Sequence, residues 1–186
     1  NIGAGLNQLG KKVLLVDLDP QAHLTCSLGI QAHGLKKTVY ELLKGETKFN
    51  DTAIDRSGLT VIPSSLNLSG AELEFSGLAG REFLLKDSLK GIRGFEYVLI
   101  DCPPSLGLLT LNALIIAKEV YIPLQTEFLA LQGMGKLLET IDIVKKRLNK
   151  SLRASGVIGT RYDNRKRLNR EVIGKIREYF GDKLFN

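Results

Sequence analysis

The chain has 186 residues, 44% hydrophobic and 25% charged, with mean hydropathy near zero (+0.01). These values exclude a disordered or fibrous chain, and the absence of any run of 18 apolar residues excludes a membrane-spanning helix. The net charge of +6 is uneven: residues 145–186 hold 13 Lys/Arg against 4 Asp/Glu, and residues 1–144 hold 13 against 16.

In chain order, residues 1–9 read as the end of a helix stopped by Gly10, and Val13–Val16 as the first of five short apolar runs. The others are Leu59–Ile62, Tyr97–Ile100, Val120–Ile122 and Gly156–Gly159. Short continuous apolar runs are the mark of buried parallel strands. Between them, helical patterns fall at Thr38–Leu43, Arg81–Ile92, Leu108–Ala117, Gln132–Leu148 and Leu168–Phe180. Alternation of this kind predicts a single α/β domain over residues 1–186, a mostly parallel sheet with helices on both faces. In such folds ligands gather beyond the carboxyl ends of the strands.

Asp17-Leu18-Asp19-Pro20-Gln21 follows the first strand. Two carboxylates two residues apart leave an extended chain on the same side, and proline then turns it. Two readings are open: a switch that handles Mg²⁺ or the water attacking a phosphate, or a solvated strand end. Asp101 ends the third apolar run and is followed by Cys102-Pro103-Pro104-Ser105-Leu106-Gly107. An Asp closing an apolar strand is the Walker B arrangement, in which the carboxylate holds Mg²⁺. The two prolines stiffen the segment and the glycine permits a hinge. Cys26 and Cys102 have no metal-ligand spacing and point to a reduced, cytosolic protein. The basic last quarter is open to two readings as well, a solvated helix face or a surface for a polyanion such as DNA.

The words at residues 1–6, 10–21, 98–114 and 122–127, in this order and spacing, resemble the ParA family of partition ATPases, in the wider P-loop group that includes MinD. The resemblance implies hydrolysis of ATP with Mg²⁺. Asp17, Asp19, Pro20 and Gln21 form switch I, with Asp19 positioning the attacking water. Asp101 acts on Mg²⁺ through water, and with Pro103, Pro104, Ser105 and Gly107 it forms switch II. Asn112 is a dimer or switch contact. The resemblance also implies a nucleoid-associated homodimer, a ParB-like activator and non-specific DNA binding, for which Arg165, Lys166, Arg167 and Arg170 are the candidates. The family's phosphate-binding loop directly precedes the Asn-Ile-Gly helix, so that loop and the first strand are expected to be missing and the fragment inactive. A MinD-like membrane-surface ATPase and a degenerate, non-enzymatic binding module are the alternatives.

Overall fold

A computed structural model describes residues 1–125 and 130–185. The strands form two sheets, one of order β2-β3-β1-β4 and one of order β5-β6-β7, in two compact units, Asn1–Ala113 and Leu114–Asn186.

In the first unit, β1 (Val13–Asp17) is buried at all five positions. It is central, parallel to β3 (Leu59–Ile62) on one side and to β4 (Tyr97–Asp101) on the other. Burial on both faces is why its sequence is unbroken apolar rather than alternating. The sheet's fourth strand, β2 (Ile54–Arg56), is antiparallel to β3 and was not expected. It is joined to β3 through Ser57 and Gly58, both at positive φ (53° and 79°). That pair of dihedrals is the mirror-image two-residue turn whose twist matches a hairpin.

α1 (Ile2–Gln8) ends where expected, with Gly10 at φ 75°. It lies close on β1: a Cβ at buried Gly3 would sit 2.7 Å from a Leu15 methyl. Val13, Leu15, Ile30, Leu59 and Val61 build the core on this side. α2 (His23–Ser27) follows β1 directly. α3 (Val39–Leu43) opens on a capping box, with Thr38 accepting the Tyr40 N–H and Glu41 accepting the Thr38 N–H at 2.8 Å. α4 (Phe49–Thr52) and α5 (Ala71–Glu74) are single turns.

The helix expected over Arg81–Ile92 is shorter, a 3₁₀ turn at Arg81–Phe83 and then α6 (Leu84–Ser88). Gly91 at φ 81° lies in a region that ends a helix rather than extending it. β4 departs from the expected burial, with Tyr97 42% and Val98 47% exposed; it is the outer strand of this sheet among the described residues. α7 (Leu108–Ile116) carries the chain from the first unit into the second.

In the second unit, β5 (Glu119–Gln125), β6 (Arg153–Thr160) and β7 (Leu184–Phe185) are all parallel. α8 (Ala130–Arg147) links β5 to β6, and α9 (Arg167–Phe180) links β6 to β7. Ile122, Leu124, Met134, Val157, Val172, Ile176 and Leu184 form the core. No helix among the described residues is long and apolar enough to cross a membrane.

Candidate functional site

The parallel register of β1 and β4 sets Asp17 directly opposite Asp101, so the two strands end on two carboxylates. The ladder runs one residue further, with the Leu18 N–H donating to the Asp101 carbonyl at 2.8 Å.

The two carboxylates have different surroundings. Asp17 has no exposed surface. Its Oδ2 accepts both the Thr25 N–H (2.9 Å) and the Thr25 hydroxyl (2.7 Å), and its Oδ1 accepts the Asp19 N–H (3.1 Å). Burial pushes the Asp17 carboxyl above the usual range, and the Thr25 bonds pull it back. Thr25 Oγ1 in turn accepts the Ser64 N–H at 3.0 Å. Asp17 thereby ties the end of β1 to α2 and to the residues after β3. It organises the turn and offers little to a metal. The buried hydroxyls of Ser64 and Ser65, at the same end of the sheet, have no hydrogen-bond partner.

Asp19 is only partly buried. Its Oδ1 accepts the Gln21 N–H (2.9 Å) and its carbonyl accepts the Ala22 N–H (2.9 Å), which closes the turn over Pro20 into Ala22 at φ 53°. Asp101 is exposed by its position, yet partial desolvation, and then the charges of Asp17 and Asp19, hold its carboxyl above the usual range. The same causes, desolvation first and then Asp101 and Asp19, push the Cys102 thiol up to about 12.

An oxygen donor whose ionised form is disfavoured by neighbouring negative charge fits a hard dication such as Mg²⁺. Asp101 meets that description. Among the described residues no group of three or more His, Cys, Asp or Glu is arranged to hold a metal unaided. The remaining ligands would therefore be water and phosphate oxygens, as is usual for Mg²⁺.

Residues 102–107 have no regular structure. The Ser105 carbonyl accepts the Thr110 hydroxyl at 2.6 Å, which holds this loop on the first turn of α7. The Leu108 N–H, which opens α7, donates to Glu72 Oε1 of α5 at 2.8 Å. Asn112 is buried and committed within the chain. Its Oδ1 accepts the Leu85 N–H, and its Nδ2 donates to the Arg81 and Leu108 carbonyls, each at 3.0 Å. The amide clamps α7 to the start of α6 and turns no group outward.

The basic candidates lie in the second unit, around the start of α9. Arg165 makes a two-pronged pair with Asp163, both bonds 3.0 Å, and this holds the Asp163 carboxyl below its usual range. Arg167 pairs with Glu171 at 2.8 Å, and Arg170 donates to the Asn164 carbonyl. Lys166 is the N-cap residue of α9. All four are exposed, so the ion pairs are ones that a competing anion displaces readily. Thr126 and Glu127, which end the word at 122–127, lie outside the described residues.

A family model described as an AAA domain matches residues 1–154. The chromosome partitioning protein ParA of Caulobacter vibrioides is 43% identical over 191 residues, covering 100% of this chain and 72% of that protein. The chromosome-partitioning ATPase Soj of Treponema pallidum is 46% identical over 189 residues, covering 100% of this chain and 74% of that protein. The chain belongs to the ParA family of partition ATPases. A solved structure from Mycobacterium smegmatis, described as cobyrinic acid a,c-diamide synthase with bound ADP and magnesium, matches with a TM-score of 0.91 at 42% identity. That match covers 97% of this chain and 74% of the other.

In ParA-family terms, the segments read from sequence as switch I and switch II start from register partners, Asp17 and Asp101. Thr25, Ser64 and Glu72, which brace these segments, carried no sequence signal. Their partners are 8, 39 and 36 residues away, and only the fold makes them neighbours.

Proposed function

We propose that this chain is the nucleotide-switch part of an ATP hydrolase that partitions plasmid or chromosomal DNA. The single observation that carries the reading is the facing pair Asp17 and Asp101, with Asp19 two residues on and the Pro-Pro-Ser-Leu-Gly loop leading into α7. ATP and Mg²⁺ supply the transferable phosphoryl group and the neutralisation of its charge. Asp101 holds the ion through water. Asp19 is pinned through Oδ1 by the Gln21 N–H, and its carboxylate accepts a hydrogen bond from the attacking water and fixes its direction. Asp17 stays locked by Thr25 and keeps the Asp19 turn in place.

The finer reading takes in ATP-dependent dimerisation, a ParB-like activator, location on the nucleoid, and non-specific DNA contact through Arg165, Lys166, Arg167 and Arg170. The whole-chain relatives at 43% and 46% identity are both named for chromosome partitioning. They favour this reading over the amide-forming one in the name of the M. smegmatis structure.

The test is Asp19→Ala in the full-length protein. Steady-state hydrolysis should fall by about a hundredfold or more, while equilibrium binding of a fluorescent ATP analogue stays near that of the parent. Hydrolysis at the parent rate overturns the assignment.

A further inference from the structure

The geometry points to Glu72 as a positioning residue for switch II, a role nothing in the sequence announced. Gly107 is the cap position of α7, since its carbonyl accepts the Leu111 N–H that closes the first helical turn. A Ser, Thr or Asp there would satisfy the orphan N–H groups of the first turn with its own side chain. Gly107 has no side chain, and the acceptor comes from elsewhere: Glu72 Oε1 takes the Leu108 N–H at 2.8 Å. Its negative charge also suits the positive end of the helix dipole.

Glycine is what makes room. A Cβ at Gly107 would run into the Glu72 carboxylate, and the three nearest atoms it would meet all belong to Glu72. Gly107 does not have a positive φ, so the backbone conformation does not by itself call for glycine.

The contact has a consequence for the loop. Ser105 is held by Thr110, which rides on α7 itself. That bond moves with the helix and fixes the loop only relative to α7. Glu72 belongs to α5, and its bond ties the start of α7 to a separate element. Asn112 ties α7 to α6 one turn further on, so the Glu72 bond is the one that fixes the first residue of the helix, where the Pro103–Gly107 loop ends. Without it, the first turn of α7 is held only from Asn112 onward, and the residues between Asp101 and Leu108 lose one of their fixed points. The link to hydrolysis rests on the function proposed above. The contact itself does not.

Two measurements separate these parts. The first is amide hydrogen exchange at Leu108 in nucleotide-free protein. Glu72→Ala should speed it by about tenfold or more, because a charged acceptor is lost. Glu72→Gln, which keeps an acceptor oxygen, should restore most of the protection. Gly107→Ala should match Glu72→Ala, because the new methyl displaces the carboxylate. The double variant should be no worse than either single one, the signature of one shared bond. Additive effects in the double variant, or failure of Glu72→Gln to restore protection, overturn the contact.

The second measurement is ATP hydrolysis by the full-length protein. Glu72→Ala should lower kcat by about tenfold with KM for ATP nearly unchanged, and Glu72→Gln should recover it. Unchanged kcat alongside accelerated exchange at Leu108 overturns the positioning role while leaving the contact standing.

Discussion

Thr25→Val tests the most buried part of the site. Valine keeps the shape of threonine and removes only the hydroxyl. That hydroxyl lies in a side chain with no exposed surface, donates to Asp17 Oδ2 at 2.7 Å and accepts from the Ser64 N–H at 3.0 Å. The substitution removes one hydrogen bond to a charged acceptor, roughly 1.5–3 kcal/mol, and strands a buried N–H, roughly 1–3 kcal/mol. Because the Thr25 N–H still reaches Asp17, the lower end applies, about 3 kcal/mol in all.

The loss also depends on pH, and the sign is fixed. Burial raises the folded-state carboxyl of Asp17, so the folded chain binds its proton more tightly than the unfolded chain does. Stability therefore falls as pH rises from the unfolded to the folded pKa. Deleting the hydroxyl removes an influence that lowers this pKa and widens the interval. The penalty should be larger at neutral pH than at about pH 4, because the hydroxyl donates to the ionised form of Asp17 and that form gains weight as pH rises. Urea unfolding at the two pH values measures both quantities, with Thr25→Ser as the control that keeps the hydroxyl. A Thr25→Val penalty below about 1 kcal/mol, the net worth of one ordinary hydrogen bond, or an equal penalty at both pH values, refutes the reasoning.

Three further outcomes are expected. Asn112→Ala leaves the buried Leu85 N–H without an acceptor and should destabilise the fold by about 2–4 kcal/mol in urea unfolding. Cys102, with its thiol pushed up to about 12, should resist alkylation at pH 8 while exposed Cys26 reacts, as read by mass spectrometry of peptides. Replacing Arg165, Lys166, Arg167 and Arg170 together by Ala in the full-length protein with Mg·ATP should weaken duplex binding equally on unrelated sequences. The slope of log affinity against log salt should also flatten.

Local signals made much of this legible. Val13–Val16 is apolar at every position because β1 is buried on both faces, and the Asp that ends the run faces its counterpart at the end of β4. Thr38 and Glu41 form a capping box, and the short helix predicted from Thr38 begins there. The hairpin β2–β3 has its turn signal in Ser57-Gly58, but Ile54–Arg56 offers one apolar residue and no alternation, so no strand is predicted there. The helix predicted over Arg81–Ile92 is longer than the one that forms, because Phe83, Leu84, Leu85 and Leu89 keep a helical stripe beyond Ser88, where α6 ends. The site divides the same way. The residues at the strand ends were readable from their order, whereas Thr25, Ser64 and Glu72 act through tertiary contacts that no spacing encodes.

The outer strand of the hairpin also bears on how crowded copies behave. β2 is three residues long, exposes Asp55 and Arg56, and uses Asp55 to accept the Thr60 hydroxyl. A strand from a neighbouring molecule arriving on this side would gain few backbone bonds and would have to strip water from two charges. Short, charged edge strands resist that kind of fusion. Copies brought together at high concentration would therefore gain little from pairing along this edge.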